Sequence, residues 1–146
     1  MSLRPREVIL VRHAHADWPD YTGRDFDRPL TPQGLNDAQA SAAAIRAAAL
    51  RPELLIASPA RRTAQTAEVI AAALALPASA VTFVEALYNA APDVLDAELR
   101  RAFRSSPHVI LVAHNPGISE LARSLSNTVL APFRPAQWMH CPVQPG

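Results

Sequence analysis

The chain has 146 residues, 49% of them hydrophobic and 18% charged, with a formal net charge of +1. This is the size and composition of one globular domain. The near-neutral balance lacks the basic stripe of a nucleic-acid binder, and no apolar stretch approaches the ~20 residues that span a bilayer.

The basic start is followed by an apolar run of only residues 8–11, too short for a secretory signal. Cys141 is the only cysteine, so no disulfide forms within the chain, and a reducing cytoplasm is the expected setting. All 14 positive charges are arginine. A bound anion therefore has to be held by arginine, histidine or backbone amides.

Residues 7–11, Glu-Val-Ile-Leu-Val, are a short apolar, β-branched run and read as a buried strand. Residues 12–30 are polar, with Pro19, Gly23 and Pro29, and predict a long loop. Connections usually run about 4–6 residues, so one this long points to a functional task. Thr31-Pro32 opens a helix, with a hydroxyl N-cap before a proline at the first helical position. Leu35, Ala38, Ala42 and Ile45 share one face of it, and Arg51-Pro52 ends it.

A second strand covers 54–57. Ser58-Pro59 repeats the cap-and-proline signal and predicts a helix to about residue 74, with Thr66, Val69, Ile70 and Ala73 on a common face. Residues 81–84 give a third strand. Pro92 opens a third helix that carries Val94, Leu95, Leu99, Ala102 and Phe103 at helical spacing. Residues 108–113 form a fourth strand, and Asn115-Pro116 caps a fourth helix to about residue 125. The alternation predicts a three-layer α/β/α domain with a mainly parallel central sheet, held within residues 1–126. Residues 127–146 hold four prolines and no clear period, and read as a tail, an irregular strand or an incomplete sheet edge.

Three predicted strands end in polar residues: Arg12-His13 after the first, Ser58 to Arg62 after the second, and His114-Asn115 after the fourth. The carboxyl ends of parallel strands share one edge, where ligands bind. Two imidazoles and at least two guanidiniums beside helix N-termini suit an oxyanion, phosphate above all. Two imidazoles beside a phosphate point to phosphoryl transfer with one as nucleophile.

These residues carry a resemblance. Val11-Arg12-His13-Ala14 resembles the Arg-His-Gly signature of the histidine phosphatase superfamily, which has the phosphoglycerate-mutase-like fold. Leu30-Thr31-Pro32-Gln33-Gly34 is similar to its Leu-Thr-x-x-Gly segment. Residues 58–67 match its Ser-Pro-x-x-Arg-x-x-Gln-Thr-Ala element, and His114-Asn115-Pro116 its second histidine. Arg28 to Thr31, Ala86-Leu87-Tyr88 and the short chain most resemble the small SixA-like phosphohistidine phosphatases.

The resemblance implies that His13 is the nucleophile, that Arg12 binds phosphoryl oxygens, and that His114 stabilises the transferring group. It implies Arg62 rather than Arg61 as the pocket arginine. Helical geometry agrees, since neighbours diverge by about 100° and only one of them aims inward. A guanidinium at ~4 Å disfavours the imidazolium by about 4 kcal/mol at an effective dielectric of ~20, which keeps a nucleophilic imidazole unprotonated. The same fixed cations suit the charge on the transferring group, so neither a metal nor another cofactor is required.

The sequence departs from the family in three places. Ala14 replaces the usual glycine. Asn89 stands where larger relatives carry a glutamate proton donor, which leaves Asp17, Asp25 and Glu85 as candidates for that role or for the rim of the site. Residues 127–146 do not resemble the strand that usually follows the fourth helix. A weak acid suits a phosphohistidine substrate, because a protonated imidazole leaves more easily than an alkoxide.

The expected activity is therefore a phosphatase acting on phosphohistidine in a protein. Small phosphorylated metabolites, or phospho-ligand binding without turnover, are the alternatives. A mutase fits less well, for want of the insertions that enclose a small substrate. His13-Ala14-His15-Ala16-Asp17 also resembles the start of a metallohydrolase His-x-His-x-Asp motif, but Trp18 stands where such motifs supply another histidine. His15 then reads as a loop or rim residue, His108 as structural, and His140 has no role. Ser58 reads first as a helix cap, and Trp18 and Tyr21 either pack over the pocket or cover the loop.

Overall fold

The computed structural model describes residues 4–145. Its sheet contains β1 (Glu7–Arg12), β2 (Leu54–Ala57), β3 (Val81–Phe83), β4 (His108–Ala113) and β5 (Trp138–Pro142), in the order β3-β2-β4-β1-β5. The first four strands are mutually parallel and β5 runs antiparallel to β1. Four helices cover the sheet: α1 (Pro32–Ala47), α2 (Arg61–Ala73), α3 (Pro92–Ala102) and α4 (Gly117–Ser126).

The period of two along each strand divides the core into two layers. Val8 and Leu10 of β1 and Val109 and Leu111 of β4 pack with Leu95 and Leu99 of α3 and with Ile118 and Leu121 of α4. Ile9, Val11, Ile110 and Val112 face the other way, onto Ala42 and Ile45 of α1 and Ala67 and Ile70 of α2. Both faces of the central strands are buried, which is why they read as unbroken apolar runs. The α/β/α expectation is met. No helix among the described residues is long and apolar enough to cross a membrane.

The helix boundaries differ in instructive ways. Thr31 caps α1 by accepting from the Gly34 N–H at 3.1 Å, as the sequence predicts. The buried face is Gly34, Ala38, Ala42 and Ile45, however, and Leu35 is 38% exposed. Gly34 sits there because a β-carbon would overlap the carbonyl oxygen of His15, and α1 has to press against that loop. α2 starts at Arg61 behind an uncapped Ala60, not at Ser58-Pro59. The Ser58 and Ala60 carbonyls instead both accept from Thr63 Oγ1, at 2.8 Å each.

The largest correction concerns 127–146, where no regular strand is expected. Asn127 ends α4 in the left-handed region at φ 51°, and the chain returns to pair with β1 from Val11↔Trp138 to Glu7↔Pro142. Phe133, Cys141 and Val143 join the α3/α4 layer of the core. β5 lacks a clean apolar pattern because Trp138, Met139 and His140 are each only half-buried. Proline is tolerated at its end because an edge strand has one side without a partner.

Candidate active site

The carboxyl ends of β1, β2 and β4 deliver His13, Ser58 and His114 to one edge of the sheet. The His13 N–H donates to Ala113 O at 3.1 Å and the Ser58 N–H to Val112 O at 3.2 Å, so the ladder continues just past each strand. His13 and His114 therefore leave adjacent strands together. Their ring centroids are 5.4 Å apart, with planes at 63°.

The His13 ring is fixed through one nitrogen. Its Nδ1 lies 2.7 Å from Ala14 O; a carbonyl only accepts, so Nδ1 bears the hydrogen and Nε2 keeps its lone pair. The Ala14 N–H donates to Thr66 Oγ1 at 3.0 Å, and Thr66 Oγ1 donates to Arg62 O at 2.8 Å, which ties this peptide to α2. Burial pushes the His13 imidazole down to about 4. The Ala14 hydrogen bond opposes that shift, and the Arg62, Arg12 and Arg28 charges add to it. At neutral pH His13 is an uncharged base.

Arg62 lies in the first turn of α2 and is 3% exposed. Its Nη1 donates to Asp25 O at 2.8 Å. Its Nη2 reaches Asp25 Oδ2 at 3.0 Å, His114 Nδ1 at 3.3 Å and Asn89 Oδ1 at 3.4 Å. Arg61, its neighbour, points into solvent. Arg12 Nη1 donates to Phe133 O at 2.8 Å, a carbonyl that also accepts from Asn115 Nδ2 at 2.9 Å. The Nε atoms of Arg12 and Arg62 are buried without a partner. His114 is 2% exposed, and burial, then the neighbouring His13 imidazole and the Arg62 charge, push it down to about 3.

Of the candidate acids, Asp25 is close to the site and is held ionised. The Tyr88 hydroxyl donates to its Oδ2 at 2.6 Å, and Arg28 Nη2 to its Oδ1 at 3.0 Å. Those bonds and the Arg62 charge hold its carboxyl well below the usual range, so it brings a negative charge rather than a proton. Asp17 is 86% exposed, 3.6 Å from Arg28 and 4.0 Å from His15. Glu85 is exposed and lines a cavity of about 430 Å³ with Arg24, Asp25, Phe26, Pro59 and Tyr88.

The His-x-His-x-Asp set does not assemble, because His15 Nδ1 turns to Thr31 Oγ1 at 2.8 Å. His108 and His140 flank Glu7, at 3.4 and 3.0 Å, on β4 and β5 at the end of the sheet away from His13. Trp18 and Tyr21 brace the loop, donating to Pro29 O and Arg24 O.

Sequence reasoning gives no site role to Tyr88 or Arg28 and misses the contact of Ser58. Tyr88 sets its ring edge against His114, with centroids 5.6 Å apart, and passes within 5.9 Å of the Arg62 guanidinium carbon. Asn89 follows at φ 48°, a left-handed conformation that asparagine tolerates. Ser58 Oγ lies 2.7 Å from His114 Nε2, which makes it a partner of the site rather than a helix cap. Arg28 to Thr31 and Ala86-Leu87-Tyr88 both resemble SixA-like segments, and that is the available signal for Arg28 and Tyr88.

The pocket holds the buried Arg62 and half-buried Arg12 guanidiniums, two neutral imidazoles and one charged carboxylate that offsets part of the positive charge. A family model for the histidine phosphatase superfamily, branch 1, matches residues 8–90, the segment that contains Arg12, His13, Asp25 and Arg62. The chain belongs to the histidine phosphatase superfamily.

Other comparisons agree with this family. An uncharacterized chloroplastic protein of Arabidopsis thaliana is 35% identical over 129 residues, which is 83% of this chain and 59% of the plant protein; the chain thus spans little more than half of that relative. A SixA protein of Agrobacterium tumefaciens, assigned by name as a phosphohistidine phosphatase, is 30% identical with a TM-score of 0.73, over 84% of this chain and 78% of its own. The protein histidine phosphatase SixA complexed with tungstate shares the fold, with a TM-score of 0.80, 23% identity, and coverage of 92% of this chain and 86% of its own. The phosphoglycerate-mutase-like architecture expected from the family motifs is thus the one observed.

Proposed function

We propose that this chain is a phosphohistidine phosphatase that works through a phosphorylated His13. The observation that carries the reading is the His13 ring itself, its Nδ1–H spent on Ala14 O and its Nε2 left as a lone pair, next to the His114 ring and in the field of Arg62. Nε2 attacks phosphorus, the bond to the leaving nitrogen breaks, and the substrate imidazole, already protonated on its other nitrogen, departs with the electron pair as a neutral ring. Water then attacks the phosphohistidine, the P–Nε2 bond breaks, and inorganic phosphate leaves with Nε2 restored. Throughout, Nδ1–H stays on Ala14 O, which steadies the positive charge the ring acquires while phosphorylated. Arg12, Arg62 and His114 stabilise the phosphoryl oxygens, the kind of preorganised charge that dominates such transfers.

The state of Asp25 supports the choice of substrate. It is ionised, and neither Asp17 nor Glu85 is placed among the buried groups around His13. A site poor in proton donors suits a leaving imidazole better than a leaving alkoxide. The partner is then a protein bearing phosphohistidine. A small phosphorylated metabolite is the second reading, and the comparison of substrates separates the two.

The test compares the protein with its His13→Ala variant on a phosphohistidine protein, phosphoramidate and an aryl phosphate. Phosphohistidine should be turned over fastest, with a loss on the order of 10⁴ or more in the variant. Rates unchanged by the substitution overturn the mechanism. Equal turnover of all three compounds overturns the choice of substrate.

A further inference from the structure

We propose that Ser58 is a positioning residue for His114: its hydroxyl holds the ring's Nε2–H and leaves Nδ1 as the atom that takes up a proton when an oxyanion reaches Arg62. This deepens the phosphatase reading and rests on it for the identity of the oxyanion.

Donors and acceptors around the ring fix its tautomer. Arg62 Nη2 lies 3.3 Å from His114 Nδ1. A guanidinium carries only hydrogens to donate, so Nδ1 has to accept. A neutral imidazole has one N–H, which is therefore on Nε2, and Ser58 Oγ at 2.7 Å has to accept it. Ser58 is fully buried, so no water replaces it in this arrangement. Its oxygen also accepts from the Ala60 N–H at 3.3 Å, and Thr63 Oγ1 braces the Ser58 and Ala60 carbonyls. The acceptor is thus fixed in space before any ligand binds.

The consequence concerns charge. A phosphoryl oxygen drawn to Arg62 Nη2 arrives beside the lone pair of Nδ1, and the two repel. Transfer of a proton from the monoanionic ligand to Nδ1 removes that clash and turns Nδ1–H into a donor to the phosphoryl oxygen. The resulting imidazolium keeps Nε2–H on Ser58, so the hydroxyl stabilises the charged form as well as the neutral one. The groups that face His114 are His13 at the end of β1, Arg62 on α2, Asp25 and Arg28 on the loop after β1, and Tyr88 beyond β3. Burial first, then His13, Arg62 and Arg28, oppose the added proton and Asp25 favours it, and the incoming oxyanion tips that balance toward protonation.

The experiment is the imidazole ¹⁵N spectrum of the whole chain, free and with inorganic phosphate, for the protein and its Ser58→Ala and Ser58→Thr variants, with His114→Gln to assign the signals. The free protein should show Nε2 protonated and Nδ1 bare. With phosphate both nitrogens should be protonated. In Ser58→Ala the Nε2 proton should exchange rapidly with water, and the doubly protonated form should be lost at neutral pH.

Turnover should fall about tenfold or more in Ser58→Ala, the scale seen when a metal-ligating imidazole loses its hydrogen-bond partner, with the alkaline limb of kcat moved to lower pH, because His114 has to be protonated to act. Ser58→Thr, which keeps the hydroxyl, should restore both. A free protein with its hydrogen on Nδ1, or a Ser58→Ala spectrum identical to that of the parent at unchanged thermal stability, overturns the proposal. The spectrum of the free protein needs no substrate. A chain that shows Nε2–H held by Ser58 but turns over none of the three phosphorylated compounds therefore refutes the phosphatase reading and supports this placement of the proton.

Discussion

Arg62 grips Asp25 twice, Nη1 on the backbone carbonyl at 2.8 Å and Nη2 on the carboxylate at 3.0 Å. Asp25 belongs to the long loop after β1, and Arg62 to the first turn of α2. This pair therefore fastens the loop over the pocket and sets the direction of the guanidinium. Tyr88 and Arg28 complete the arrangement from two further segments.

Asp25→Asn tests that arrangement. The amide keeps one acceptor but loses the charge that holds Arg62, Arg28 and Tyr88 together. kcat/KM should fall about tenfold, equivalent to about 1.4 kcal/mol of transition-state stabilisation. Stability should change by no more than about 1 kcal/mol, because the Asp25 side chain is half exposed. Steady-state kinetics and urea unfolding check the two halves, and unchanged kinetics contradict the role given to the carboxylate.

The two adjacent arginines should behave oppositely. Arg62→Ala removes a buried donor set that faces both Asp25 and His114, and kcat should drop by about 10² to 10³. Arg62→Lys should recover little, since an ammonium cannot reproduce the planar fork. Arg61→Ala should leave turnover essentially unaltered, because Arg61 faces solvent. Equal losses at both positions would contradict the placement of Arg62.

Much of this was legible because it rests on short-range rules. The strands at 54–57 and 108–113 are read directly, since doubly covered parallel strands are continuous apolar runs. The choice of Arg62 over Arg61 follows from helical rotation alone. What the sequence hid is long-range. Ser58 looks like a cap, and only the arrival of His114 from β4, 56 residues along the chain, shows where its hydroxyl goes. Asp25 looks like one of several loop acids, and its state is set by Tyr88, 63 residues away. β5 escaped because an edge strand with half-buried residues on both faces has no apolar period to read. Leu35 misled the reading of α1 because a glycine next to it makes the contact that a larger side chain would block.

Acid should act on activity and on stability in different ways. The His13 imidazole of the free enzyme stays unprotonated down to about 4, so loss of nucleophile should not limit kcat/KM until pH falls below about 5, well under the ordinary histidine value of about 6.5. For stability, the unfolded chain protonates His13 and His114 near pH 6.5, whereas the folded chain resists to about 4 and about 3. The unfolded state thus binds more protons in that interval, and stability should decline as pH falls through it. The slope is at most about 1.4 kcal/mol per pH unit for each imidazole. Denaturation at a series of pH values checks this, and a His13→Ala, His114→Ala double variant should lose most of the slope. A protein equally stable at pH 6.5 and pH 4.5 would contradict it.

The edge supplied by the last segment should matter to stability as well as to the pocket. Phe133 is 2% exposed in the α3/α4 layer, and its carbonyl receives both Arg12 and Asn115. Phe133→Ala should destabilise the fold by about 3–5 kcal/mol, read from the urea midpoint at an unchanged slope. A cost below about 1 kcal/mol would show that this segment is peripheral to the core.

The central claim is a covalent bond between phosphorus and His13 Nε2. Mixing the protein with a phosphohistidine-bearing protein, quenching in alkali within the first turnover and mapping the phosphoryl group by peptide mass spectrometry tests it directly. The account predicts an acid-labile, base-stable phosphate on His13 that forms before free phosphate appears and is absent from His13→Ala. Turnover at full rate with no phosphoryl group ever found on His13 would contradict it.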